Sequence, residues 1–165
     1  MRLVVVRHAD AGDKDEFAKT GKPDELRPLS DKGRKQMKSA VEGLRSLVPK
    51  CDLIATSPYV RAVQTAEILS ATYGNDVEET TTLEPGAAPD DFVHWLRDRD
   101  VDVVVIAGHE PDLGELTTWL MTGASESHVE FKKAGACLLE FEGQIRKSAG
   151  VLRWLLGPKE LAALV

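Results

Sequence analysis

At 165 residues the chain has the length of one domain around one core, expected to span residues 1–165. Its hydrophobic fraction of 42% argues against disorder, and its net charge of −6 against a general nucleic-acid binder, while leaving room for a local basic pocket. Cys51 and Cys137 stand far apart in no metal-ligand spacing, which reads as two small core residues rather than a secreted disulfide scaffold. No apolar run is long enough for a bilayer, and the run Leu3 to Val6 stops at Arg7-His8, short of a signal-peptide core. A cytoplasmic location without membrane contact is the expectation.

Leu3-Val4-Val5-Val6 is a β-branched run that predicts a strand buried on both faces. Ala11 to Arg27 is polar and punctuated by Gly12, Gly21 and Pro23, which predicts a long loop. Ser30 caps a helix with Asp31 in its first turn; Met37, Ala40, Val41, Leu44, Leu47 and Val48 line one face, and Pro49 closes it. Asp52 to Thr56 predicts a second strand. Ser57-Pro58 reads as N-cap and first residue of the next helix, which Gly74-Asn75 ends. Val77 to Leu83 predicts a strand, Pro89 opens a short helix through Leu96, and Val101 to Ala107 is the clearest buried strand. Pro111 starts another helix. Ala136 to Phe141 and Val151 to Leu155, around a turn region from Gly143 to Gly150, predict a terminal hairpin. Strands alternating with helices imply an α/β fold of three layers: a mostly parallel central sheet with helices on both faces.

Ligands of such sheets bind beyond the carboxyl ends of the strands. The first strand ends in Arg7-His8, the second in Thr56-Ser57-Pro58 with Arg61 a turn later, and the long buried strand in Gly108-His109. Two arginines in one enclosed site repel each other unless an anion lies between them, and guanidinium forks match a phosphoryl group. The same two charges repel a cation, and no carboxylates cluster with the histidines in a ligand motif, so no metal and no cofactor are expected. A neutral imidazole in such a pocket can attack phosphorus in line, provided its other nitrogen holds the proton, for instance against a backbone carbonyl.

Arg7-His8-Ala9, then Ser57-Pro58 with Arg61 and Gln64-Thr65-Ala66, then Gly108-His109, resemble in order the motifs of the histidine phosphatase superfamily, whose fold is phosphoglycerate-mutase-like. Arg7-His8-Ala9-Asp10-Ala11, Arg27-Pro28-Leu29-Ser30 with Gly33, Leu83-Glu84-Pro85-Gly86 and Leu152-Arg153-Trp154 are similar to its SixA-type phosphohistidine phosphatases. The resemblance implies that His8 is the nucleophile, that Arg7, Arg61 and His109 bind the phosphoryl group with His109 protonated in the complex, and that Ser57 and Arg27 assist. Larger members supply a glutamate general acid from an insertion for which this chain is too short. Glu84 and Asp10 are the carboxylates left for that role. Its absence would matter least for a phosphoramidate, whose P–N bond is already labile.

The bland alternatives are a strand-end His8, a helix-capping His109, an Arg61 paired with Glu67 or another surface acid, and an Asp10 that orients Arg7 or merely ends its strand. His94, His128 and the three tryptophans read as surface or packing residues, and Lys132-Lys133 as a solvated turn or a hold on an acidic protein. Three functions compete: a phosphatase for phosphohistidine in a signalling or phosphocarrier protein; a phosphatase or mutase for small phosphate esters; and a non-catalytic phospho-binding module. None involves nucleic acid or a membrane.

Overall fold

The β-branched runs form the centre of the sheet in a computed structural model, which describes residues 1–165. Six strands, β1 (Arg2–Arg7), β2 (Leu53–Thr56), β3 (Val77–Glu79), β4 (Val103–Gly108), β5 (Ala136–Glu140) and β6 (Val151–Leu156), lie in the order β3-β2-β4-β1-β5-β6. The first four in that order are parallel; β5 runs antiparallel to β1 and pairs with β6 as the expected hairpin. Helices α1 (Lys14–Ala18), α2 (Asp31–Leu47), α3 (Val60–Tyr73), α4 (Pro89–Arg97), α5 (Asp112–Thr122) and α6 (Pro158–Ala162) connect or follow them. The chain moves outward from β1 to β2 to β3 and then returns to insert β4 between β2 and β1. With right-handed crossovers, that reversal places helices on both faces.

Alternating residues of β1 and β4 feed two cores. Val4 and Val105 pack with Met37, Val41 and Leu44 of α2 and Leu69 of α3, whereas Val5 and Ile106 pack with Phe92 of α4 and Leu116 and Leu120 of α5. This is the three-layer α/β architecture with a mostly parallel sheet.

Three local readings need correction, and one helix was not anticipated. The Ala11 to Arg27 stretch is not all loop: Asp13 accepts the Glu16 N–H at 2.8 Å and caps α1, and Asp24–Leu26 forms a 3-10 turn. Neither buries a residue, so no apolar period marked them. Ser57-Pro58 does not open α3. Tyr59 is the cap residue, because the Ser57 hydroxyl is engaged by the Tyr59 N–H and by His109. Strand β3 stops at Glu79, where Thr80 accepts the Thr82 N–H and turns the chain into a 3-10 turn. Finally, α6 docks on α2 where Gly43 offers no side chain: a Cβ there would lie 1.8 Å from the Leu161 carbonyl oxygen.

Candidate active site

Register brings the two histidines together. Arg7 lies opposite Gly108 in the β1–β4 pair, so the next residues, His8 and His109, leave the sheet side by side with ring centroids 5.2 Å apart. On the other flank of β4, Thr56 lies opposite Ala107, which sets Ser57 beside Gly108. The hydroxyl of Ser57 is 2.8 Å from His109 Nε2. Arg61 enters from the first turn of α3, and Arg27 from the segment before α2. Arg7, His8, Arg27, Arg61 and His109 therefore line one cleft of about 550 Å³ at the carboxyl ends of the strands.

His8 Nδ1 lies 2.7 Å from the Ala9 carbonyl oxygen. That oxygen only accepts, so Nδ1 carries the proton and Nε2 keeps its lone pair. The Ala9 amide in turn donates to Thr65 Oγ1, which donates to the Arg61 carbonyl, tying the segment after His8 to α3. Burial, reinforced by the charges of Arg61 and Arg7, pushes the His8 imidazole down to about 4. Burial, then His8 and Arg61, push His109 down to about 3. Both rings are neutral at pH 7 in the free site.

The arginines are held but not saturated. Arg7 Nη1 donates to the Phe131 carbonyl at 2.7 Å. Arg61 Nη1 donates to the Asp24 carbonyl at 2.9 Å, and its Nη2 lies 3.2 Å from the Asp24 carboxylate. Arg27 binds the same carboxylate through Nε at 2.8 Å and donates to the Ala11 carbonyl. The molecule has four buried side-chain polar atoms without a partner. Three of them, Arg7 Nε, Arg61 Nε and His109 Nδ1, belong to this cleft. Unpaired buried nitrogens are costly, and an anion with several acceptor oxygens satisfies them together.

Three expected roles change. Asp10 is held as a carboxylate: hydrogen bonds from Lys133 and Ser30 keep it well below the usual range, so it has no proton to give near neutrality. Glu84 lines a small adjoining recess with Leu83 and Phe92, not the cleft that His8 lines. Ser57 is fully buried behind His109 and positions that ring instead of lining the cleft. Arg61 pairs with Asp24 and not with Glu67.

The sequence reading did not single out Asp24, took Tyr59 only as part of the apolar face of its helix, and took Glu110 only as a complement to the start of the next one. Tyr59 sets its ring edge-on to His109 at 5.2 Å and lies beneath the Arg61 guanidinium at 5.1 Å. Glu110 lines the cleft, accepts the Gly114 N–H at 2.8 Å, and is raised above the ordinary glutamate value by burial. Asp24 sits in the polar stretch read as loop. The adjacency of Tyr59 to Ser57 and of Glu110 to His109 was the available signal for the other two.

The fold is shared by solved phosphatases. The protein histidine phosphatase SixA complexed with tungstate superposes with a TM-score of 0.81 at 22% identity, over 98% of this chain and 99% of that one. The alpha-ribazole phosphatase of Shigella flexneri superposes with a TM-score of 0.74 at 15% identity, over 96% and 97% of the two chains. Phosphoserine phosphatase of Entamoeba histolytica, an H9A mutant with phosphoserine, gives 0.69 at 12% identity, over 97% and 98%. In sequence, an uncharacterized protein of Picosynechococcus sp. is 35% identical over 82% of each chain. The family model of the histidine phosphatase superfamily (branch 1) matches residues 3–85, the part that contains Arg7, His8 and Arg61. This chain belongs to that superfamily. No helix is long and apolar enough to cross a membrane.

Proposed function

We propose that the chain is a metal-independent phosphatase that carries the phosphoryl group on His8 and takes it from phosphohistidine in a signalling or phosphocarrier protein. The observation that carries the reading is the Nδ1 contact of His8, which leaves a neutral Nε2 facing an arginine-lined anion site. In the first step Nε2 attacks phosphorus in line and the bond to the substrate imidazole breaks; that ring, protonated beforehand on its other nitrogen, leaves as neutral imidazole. Arg7, Arg61 and His109 hold the equatorial oxygens as their charge redistributes. In the second step water attacks, the P–N bond to His8 breaks, and phosphate leaves with the oxygen of water. Arg7, Arg27 and Arg61 supply the charge stabilisation that a divalent cation would otherwise provide, and they repel one. A phosphoramidate suits the site because its imidazole leaves with little help, and Asp10 offers none.

Phosphate release from a phosphohistidine-bearing protein, with chelator present, tests this in native enzyme and His8→Ala side by side. Release by the native protein alone is expected. Release that matches the mutant background would overturn the assignment.

Glu110 favours a second reading, a phosphatase for small esters. Of the carboxylates lining the cleft, Asp24 is tied to two arginines and Asp112 to the Gly86 N–H, whereas burial raises Glu110. Such an acid could protonate a departing alkoxide. Glu110→Gln separates the readings. Loss of ester hydrolysis tenfold or more, with phosphohistidine turnover retained, identifies Glu110 as the acid for esters; equal retention of both removes it from the chemistry.

A further inference from the structure

A second open groove of about 530 Å³ adjoins the catalytic cleft, and Arg7 and Lys133 line both. Lys32 at the start of α2, Lys132 in the turn before β5, and Lys159 in α6 surround it. All three are exposed and none is in an ion pair. The Lys132 stem crosses close over Gly157, at 3.1 Å from where a Cβ would sit. Asp10 is spent on Lys133, which leaves Glu130 and Glu160 as the groove's other carboxylates. The cleft and groove together carry eight cationic side chains against six carboxylates, a net of +2, on a chain of net −6. The rest of the molecule therefore carries −8.

We propose that this groove is a docking surface for an acidic polypeptide segment that flanks the phosphorylated residue of the substrate protein. The inference rests on the phosphoprotein reading above and adds the chemistry of the partner. A phosphorylated side chain in a protein has chain on both sides of it, and once its phosphoryl group meets Arg7 and His8 the flanking chain must run along the surface. The groove begins at Arg7. A small ester, filling only the cleft, has no use for a further 530 Å³ lined by lysines. The rest of the molecule is net negative, so on balance it disfavours an acidic partner, and charge favours this approach and speeds encounter at low salt. Lys32, Lys132 and Lys159 stand on three different elements, an arrangement that reads an extended acidic surface instead of one anionic group.

The test uses the triple variant Lys32→Gln/Lys132→Gln/Lys159→Gln, whose exposed side chains can be neutralised without disturbing the core. The probes are peptides that carry a stable phosphonate analogue of phosphohistidine, flanked by glutamates or by alanines, with binding followed by fluorescence anisotropy. Native protein is expected to prefer the glutamate-flanked peptide at least tenfold, with a steep salt dependence. The triple variant should lose that preference while keeping its affinity for the alanine-flanked peptide. Equal affinity of native protein for the two peptides, no binding of either, or a preference that survives the triple substitution overturns the groove. A glutamate preference in a protein that releases no phosphate from phosphohistidine supports the groove and overturns the catalytic assignment, so the two failures are distinct.

Discussion

At the scale of single residues, the role proposed for His8 has two requirements: a proton on Nδ1, which the Ala9 carbonyl fixes, and none on Nε2, which burial ensures. With the free imidazole at about 4, the loss of kcat/KM caused by protonation of Nε2 should set in only near and below pH 4, with no acid limb near 6.5. An acid limb near pH 6.5 would show an unperturbed histidine. On the proposed reading His109, at about 3 in the free site, takes up a proton when a dianion arrives between it and the arginines. Sulfate does not titrate in this range and should bind more tightly as pH falls from 8 to 5, with proton uptake measurable by calorimetry in buffers of different ionisation enthalpy. Removing a major charge stabiliser costs about 10²–10³ in kcat, the loss expected for Arg7→Ala and Arg61→Ala. A loss below tenfold in both would place the phosphoryl site elsewhere. The convergence of Arg7-His8, His109 and Arg61 on one cleft was legible because each follows a strand or helix start that its apolar pattern marks. Asp24 was not, since it acts through a tertiary contact across 37 residues and its neighbours bury nothing.

At the scale of elements, pattern and period identified what is buried and missed what is short. Strands β1 and β4 and helices α2 and α5 were legible because whole faces of them are shielded. Helices α1 and α6 have five residues each, less than two turns, so no periodic stripe can form. The start of α3 was misplaced for a different reason. Ser-Pro is a fair local start signal, but the serine hydroxyl is drawn to His109, and the helix begins after it. The same reliance on close approach makes the α2–α6 contact testable. Gly43→Ala places a methyl carbon against the Leu161 carbonyl, and either α6 or α2 must move. Overpacking of this kind costs about 1–3 kcal/mol, read as a lower urea midpoint, with an increase in amide exchange confined to α6 if that helix is the one that yields. An unchanged midpoint would mean that α6 is not docked there.

At the scale of the whole molecule, the two histidines link stability to acidity. Their ordinary value is 6.5, and the fold lowers them to about 4 and about 3. Above pH 6.5 both are neutral folded or unfolded, and their contribution to stability is complete. As pH falls below 6.5 the unfolded chain binds protons that the native site refuses, so stability declines until the native rings titrate in turn at about 4 and about 3. The loss is on the order of a few kcal/mol, and His109→Asn should flatten part of it in urea titrations at pH 7, 5 and 4. An oxyanion such as tungstate should raise the melting temperature of the native protein and not that of Arg61→Ala. The unsatisfied nitrogens of Arg7, Arg61 and His109 have one more consequence. If they hold the phosphoryl oxygens as proposed, they do so without regard to what was attached, and inorganic phosphate should fit them as well as the group it came from. Turnover is then throttled by its own product. On the proposed function, the rate of dephosphorylation is expected to fall as the surrounding phosphate concentration rises, with no separate regulatory site required.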